Sequence, residues 1–227
     1  MNCAKYDLKP LELEGHQLEE ALNVIFHTIL FHRSTGKYTF KSEGRYSIGA
    51  IGMEDVDCDR INMTYVRIPS EVFIAKVGND LRTFCSALRA KEMANVTDKT
   101  ITGQINLQFY VKSKVNWPRT PEVIPWEDWA VTVNLVSLAN ENERQNSSQK
   151  LRQDLSEIIK HIIRVVNDND LHMPKEPGEK DHDCVYDTSI PDMQPYLFRI
   201  LHSIDGDANY NEGLIGATVK KLSQALT

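Results

Sequence analysis

The apolar residues of this chain recur at helical spacing in three segments. In residues 15–31 they recur over a face so broad that it predicts a central, largely buried helix. A second stripe follows Pro69, with Ser70 as a suitable N-cap, and the polar residues 91–102 after it predict a loop. The third stripe lies in residues 141–167, behind polar first turns. These three stripes therefore predict the first three helices of the chain.

Alternating apolar and polar residues, typical of strands, lie between these helices. Residues 6–13 predict a strand at an edge or with a bulge, because Pro10 has no N–H to donate within a sheet. Two long alternating runs, 105–111 and 126–139, predict an antiparallel hairpin whose tip is residues 113–125. Shorter strands are expected at residues 38–40, 46–51, 61–68, 185–186 and 195–204. This order predicts a single α+β domain.

The chain changes character after Asn167. Residues 168–183 contain Pro174, Pro177, Gly178 and many charges, which predicts a mobile connector. A last helix is expected at residues 212–226. Its mixture of apolar and charged residues allows it to fold onto this domain or to contact another molecule.

The composition of the chain excludes several classes of function. The chain has 227 residues and a net charge of −6, which argues against a nucleic-acid or anionic-membrane surface. No apolar run is long enough to span a bilayer, and residues 1–11 resemble neither a signal peptide nor a transit peptide. The cysteines lie far apart, which predicts reduced thiols in the cytosol or nucleus. They are Cys3, Cys58, Cys85 and Cys184.

The chain contains no phosphate-loop, dinucleotide-binding, nucleophile-elbow or zinc-protease motif. Residues 34–37 are basic and contain Gly36, but a turn that ends the first helix explains them better than a phosphate site. An enzyme would need a nucleophile and a base meeting in a pocket, and no such pair is recognisable. We expect no catalytic residue and no cofactor.

Two groups of residues have metal-binding side chains. Asp55, Asp57 and Asp59 alternate, but a solvated strand or loop accounts for them without a cation. Cys58 and Cys184 could bind zinc with His182 only if the fold joined them. We expect no metal site.

Trp117 has no periodic apolar partner in the loop of residues 112–125. It could fold back onto its own domain, or it could anchor another protein, a use for which Trp is enriched at interfaces. Pro118 and Pro121 stiffen the loop and favour the second alternative. Trp126 and Trp129, in contrast, lie in an apolar strand and are expected in or beside the core.

Several short motifs in order make the chain similar to a known family. They are residues 1–3, 32–37, 46–49, 55–59, 64–67, 124–127, 143–145 and 194–197. Each is weak alone, but together they cover nearly the whole chain, and the chain resembles the autophagy-related protein 101 family. The resemblance implies a single HORMA domain over residues 1–227, in which an antiparallel sheet packs against three helices. It also implies a mobile "safety belt" segment and a C-terminal helix in residues 168–227.

The resemblance also implies a function. The family is not enzymatic. It acts as an adaptor in the autophagy-initiating serine/threonine kinase complex, where it pairs with and stabilises the HORMA domain of autophagy-related protein 13. It recruits downstream factors, which implies a cytoplasmic protein brought to sites of autophagosome formation. The alternative is a peptide-clasping HORMA protein of the spindle-checkpoint or meiotic kind.

The resemblance assigns site residues one by one. The family recruits downstream factors through a Trp-Phe finger, which matches Trp117 and Pro118, but Arg119 stands where the phenylalanine is expected. For the interface with the partner HORMA domain it implies two clusters. They are His32 and Arg33 in one turn, and Glu143, Arg144 and Gln145 at the start of the third helix.

Overall fold

The computed structural model describes residues 3–41, 45–94, 100–114, 121–168 and 172–204. Its helices are α1 Leu18–His32, α2 Glu71–Ala94 and α3 Glu141–Asp168. Its strands are β1 Ala4–Asp7, β2 Leu11–Leu13, β3 Ser34–Thr35, β4 Tyr38–Phe40, β5 Tyr46–Ile48, β6 Glu54–Cys58, β7 Met63–Arg67, β8 Ile101–Lys112, β9 Val123–Leu135, β10 Gln194–Pro195 and β11 Phe198–Ile204. The predicted last helix, residues 212–226, lies outside the described residues.

The main sheet has five strands in the order β1-β9-β8-β11, and β2 also pairs with β9. The β8–β9 and β8–β11 pairs are antiparallel, as predicted. At the edge, β1 and β2 add two short parallel pairs with β9. Parallel pairing needs a long crossover, and α1, α2 and β8 all lie between β2 and β9 in the chain. Pro10 falls between β1 and β2, which confirms the predicted break at an edge.

The apolar core lies between the sheet and the helices. Helix α1 is at its centre, with Leu22, Phe26 and Ile29 among its fully buried residues, and it packs against both α2 and α3. The broad apolar face therefore predicted its position correctly. Trp126 and Trp129 are also fully buried, which confirms the prediction made for them.

Two details of helix α2 differ from the sequence prediction. The helix continues to Ala94, so residues 91–94 are helical and not part of a loop, in keeping with the good helix propensity of Lys, Glu, Met and Ala. The Ser70 hydroxyl does not cap the helix. It donates to Asp192 Oδ1 at 2.8 Å and so links the start of α2 to the C-terminal part of the chain.

Gly36 also has a different role from the predicted one. Helix α1 already ends at His32, where the Arg33 N–H bonds to the carbonyls of Ile29 and Leu30. A Cβ at Gly36 would overlap the carbonyl of Gly49, which continues from strand β5. Gly36 therefore permits a close approach of two backbones at the base of the β4–β5 hairpin.

The segment after α3 packs against the rest of the fold. A 3-10 helix, Glu179–Cys184, is followed by an isolated antiparallel bridge between Tyr186 and Tyr196. Strand β10 pairs with β3, and β11 pairs along β8. The predicted strand at residues 195–204 is thus confirmed as β10 and β11, whereas residues 185–186 form only a bridge.

Candidate protein-interaction site

The first turns of α3 form an exposed polar surface. Asn140 caps the helix, since its Oδ1 accepts the Glu143 N–H at 2.8 Å, and Glu143, Arg144 and Gln145 are all exposed. Arg144 reaches across to Glu14, with 3.4 Å between Nε and Oε1, and donates to the Leu138 carbonyl at 3.2 Å. The side chains assigned to the partner interface on this helix are therefore accessible.

An open groove of about 810 Å³ lies beside this surface. Its walls are the first half of α3, the residues before α1 and the turn between β6 and β7. Polar and charged side chains dominate the lining, including Arg60, Arg144, Gln145, Gln149 and Arg152. Such a shape suits a protruding polar segment of another protein better than a small apolar ligand.

The turn after α1 is mostly internal. Arg33 is only 2% exposed, and its guanidinium pairs with Glu127, through Nε–Oε1 at 2.9 Å and Nη2–Oε2 at 2.8 Å. His32 is half-buried, and burial lowers the pKa of its imidazole, with Arg33 adding to the effect. Of these two side chains, only His32 reaches the surface. The side chain of Arg33 is buried and stabilises the turn through its ion pair with Glu127.

A β-bulge explains why two adjacent residues of β9, Trp126 and Glu127, both enter the core. Tyr110 pairs with Pro125 and Phe109 with Glu127, which leaves Trp126 as an extra residue on β9. Trp126 and Glu127 are both fully buried as a result, although alternation would send one of them outward. This buried site was not among the predicted ones. Glu127 itself indicated the site, because a charged residue that is buried in an apolar strand must have a partner of opposite charge or a hydrogen bond.

The carboxylate of Glu127 accepts hydrogen bonds from three side chains. Besides Arg33, Trp129 Nε1 donates to Oε1 at 2.6 Å, and His172 Nε2 lies 2.5 Å from Oε2. Tyr6 of β1 stacks on Trp129, with 4.4 Å between ring centroids. Glu127 therefore joins β1, the end of α1, β9 and the segment that follows α3. We call these residues the Glu127 cluster: Tyr6, Arg33, Glu127, Trp129 and His172.

A second set of contacts fixes the same C-terminal segment to the β4–β5 hairpin. The ring of buried His182 lies 4.5 Å from that of Tyr38 and 4.9 Å from that of Tyr186. His182 Nε2 and the Tyr38 N–H both bond to Gln194 Oε1, at 3.1 and 2.9 Å. Burial raises the pKa of Tyr38 to about 12, so its phenol remains a hydrogen-bond donor and bonds to Glu176 at 3.0 Å.

The predicted finger residues Trp117, Pro118 and Arg119 lie outside the described residues. The hairpin base beneath them is described. Ser113 N–H donates to the Glu122 carbonyl at 2.8 Å, and Glu122 N–H donates to the Ser113 hydroxyl at 2.8 Å. Lys114 pairs with Asp181 of the 3-10 helix at 2.6 Å. The β8–β9 hairpin is thus closed up to the point where the finger loop begins.

The residues considered for metal chemistry remain apart. Asp55 and Asp57 are exposed on β6, and Asp57 accepts the Thr64 hydroxyl at 2.6 Å. Within the described ranges, no three His, Cys, Asp or Glu side chains meet as a metal ion requires. Burial raises the pKa of Cys58 to about 11, so this thiol stays protonated and is a poor nucleophile or ligand.

Among the described residues, three helices pack together and against a five-stranded sheet, and the segment after α3 returns to the sheet edge as β11. This arrangement is an α+β domain of the HORMA type. A family model described as Autophagy-related protein 101 matches residues 10–180. The chain belongs to the autophagy-related protein 101 family. None of the helices in the described part of the chain is long and apolar enough to cross a bilayer.

Curated relatives agree with the family match. Autophagy-related protein 101 of Xenopus laevis is 44% identical over 204 residues, which is 90% of each sequence. The Homo sapiens protein of that name is 43% identical over the same share of both chains. The Arabidopsis thaliana protein is 29% identical over 194 residues, 77% of this chain and 81% of the relative. The shared name is not that of an enzyme.

Proposed function

We propose that this chain is a non-catalytic, cytoplasmic adaptor of the autophagy-initiating serine/threonine kinase complex. In this proposal it pairs with the HORMA domain of autophagy-related protein 13 and stabilises it. It also recruits downstream factors to sites of autophagosome formation. Family membership supports the autophagy role. The observation that supports the pairing is that the first turns of α3 are polar and exposed and lie beside an open groove.

The pairing surface consists of Glu143, Arg144 and Gln145, with His32 as a more distant contact. Asn140 fixes the start of the helix, and Arg144 is oriented by Glu14, so these side chains need little further ordering to bind. Arg33 is buried and contributes to pairing indirectly, because its ion pair with Glu127 fixes the turn that carries His32.

Pairing is tested by mixing the purified chain with the HORMA domain of autophagy-related protein 13 and measuring complex formation by size-exclusion chromatography with light scattering. We expect a heterodimer that the triple variant Glu143→Ala, Arg144→Ala, Gln145→Ala weakens. The control is the triple variant Lys160→Ala, His161→Ala, Arg164→Ala, which alters exposed residues further along the same helix. Two monomers after mixing of the unaltered proteins would refute the pairing.

The contacts of residues 172–204 support this proposal over a peptide-clasping HORMA protein. We propose that the safety belt falls within residues 168–227. Its described part is anchored at His172, His182 and β11, as expected for a belt held in one position. The peptide-clasping alternative would be supported if a short peptide copurified with the chain and competed with the HORMA domain of autophagy-related protein 13 for binding.

The recruiting surface is proposed to be the finger loop, with Trp117 as its only aromatic anchor. Trp117→Ala should leave thermal unfolding and heterodimer formation unchanged and should reduce capture of downstream autophagy factors from cell extract. Arg119→Ala, tested beside it, shows whether Arg119 acts as a second anchor. Undiminished capture by the Trp117→Ala protein would rule out the finger role.

A further inference from the structure

We propose that the groove beside α3 receives an acidic segment of the partner domain, and that Arg60 and Arg152 provide the positive charge that binds it. The inference rests on the pairing proposed above and specifies the chemistry of the partner surface. Arg60 enters the groove from the β6–β7 turn, and Arg152 enters it from α3.

These two arginines differ from the third arginine of the groove. The guanidinium of Arg144 already contacts Glu14 and the Leu138 carbonyl. Among the residues that the structure describes, the guanidinium groups of Arg60 and Arg152 have no acceptor; only the backbone N–H of Arg60 is bonded. The groove lining therefore has three arginines and two glutamates, Glu14 and Glu141, which leaves an excess of one positive charge in a chain whose net charge is −6.

The backbone that carries Arg60 is held in place. Glu20 Oε2 accepts the N–H groups of Arg60 and Ile61, at 2.9 and 3.2 Å, and Ile61 is buried. Across the groove, Gln17 Nε2 donates to the Ser148 hydroxyl at 3.0 Å and ties the start of α1 to α3. Rigid walls reduce the conformational entropy that binding costs, so the groove is preorganised for a ligand.

The chemistry of the lining favours carboxylates on a protein segment. A guanidinium presents N–H donors in a planar fork that matches both oxygens of a carboxylate. Gln145, Ser148 and Gln149 offer amide and hydroxyl groups to the polar atoms between such carboxylates. Glu14 and Glu141 also line the groove and would repel a doubly charged phosphate more than a single carboxylate.

The test is titration calorimetry of the full chain with the HORMA domain of autophagy-related protein 13 at low and moderate salt. Arg60→Gln and Arg152→Gln should each weaken binding about five- to tenfold, mainly at low salt, and the double variant should show a shallower salt dependence. Arg164→Gln, an exposed arginine on the same helix but outside the groove lining, is the matched control. Circular dichroism establishes that each variant is folded.

The outcomes separate this inference from the pairing itself. If the unaltered chain binds and the double variant binds equally well at every salt concentration, the arginine groove is wrong and the pairing stands. If Arg164→Gln weakens binding as much as the groove variants, the effect is one of net charge and the assignment is again wrong. Absence of binding by the unaltered chain would refute both proposals.

Discussion

We expect the free energy of folding to depend strongly on Glu127, because its negative charge is the partner of the buried Arg33 guanidinium. Glu127→Gln keeps the shape of the side chain but leaves the Arg33 cation unpaired in a site where it is 3% exposed. Breaking a buried ion pair by removing one partner typically costs about 3–5 kcal/mol. We expect a loss of that size in the free energy of unfolding, measured by urea denaturation.

An ion pair nearer the surface provides the comparison. Arg67 and Glu54 are joined at 2.6 Å, but their side chains are 26% and 38% exposed. Glu54→Gln should therefore change the free energy of unfolding by less than about 1 kcal/mol. Equal effects of the two substitutions would contradict the importance given to the Glu127 cluster.

His27 makes the stability of the fold depend on pH. Burial, with a smaller contribution from Arg67, lowers the pKa of this histidine from 6.5 to about 4. Between these values the unfolded chain takes up a proton that the folded chain does not, so the free energy of unfolding falls as the pH falls, by up to about 3 kcal/mol. Below about pH 4 both states are protonated at this position, and His27 adds no further loss.

His27→Leu should reduce this pH dependence. Leucine has a similar volume, and it also removes the buried Nδ1 that lacks a hydrogen-bond partner. The measurement is urea denaturation at pH 7 and pH 4.5. His161→Leu is the control, since solvent reaches that ring in both states. A pH dependence that is unchanged in His27→Leu would show that other groups cause it.

At the scale of single residues, the sequence predicted which side chains are exposed better than it predicted which side chains pair with each other. The turns that carry Glu143, Arg144 and Gln145 were recognisable as exposed because they are polar and precede the apolar stripe of the third helix. The pairing of Arg33 with Glu127 was not, because the two residues are 94 positions apart and nothing local links them. Arg33 was a candidate for the partner interface because the turn at His32 and Arg33 matches the family, and the structure places its side chain inside the fold.

At the scale of elements, the close contact of Gly36 with Gly49 controls the β4–β5 hairpin. Gly36→Ala places a methyl group against the Gly49 carbonyl, and the backbone cannot move away cheaply. Overpacking of this kind typically costs about 1–3 kcal/mol. We expect a lower midpoint of thermal unfolding and a change in tyrosine fluorescence, because Tyr38 follows directly in β4.

Gly178 is a suitable control for that substitution. It precedes the 3-10 helix with φ −70°, and a Cβ there would meet nothing within 4 Å. Gly178→Ala should be neutral or slightly stabilising, because alanine restricts the unfolded chain more than glycine does. Similar losses in both variants would mean that the Gly36 contact is unimportant.

Helices and long strands were predictable because their periodicity reflects burial on one side. The apolar stripe of α1 and the alternation in β8 both matched the structure. The bulge on β9 was not predictable, because only the pairing with β8 reveals the extra residue. The extension of α2 was missed because its last turn is polar, and polarity alone does not distinguish a helix end from a loop.

At the scale of the whole molecule, the C-terminal segment completes the sheet. Strand β11 pairs with seven residues of β8, and Phe198 and Ile200 enter the apolar core. A chain that ends at Cys184 would expose the β8 edge and lose these contacts. We expect it to aggregate or to unfold without a cooperative transition, as measured by light scattering and circular dichroism. Cooperative unfolding at the midpoint of the full chain would contradict this.

The bulge at Trp126 also has a consequence for engineering. It switches the inward-facing positions of β9 from odd residue numbers after it to even numbers before it. A regular hairpin from another protein has no such switch. Strand β9 transplanted onto it without its extra residue being matched would therefore have one end turned to the opposite face of the sheet. Designers who borrow this strand should take its pairing partner in β8 along with it.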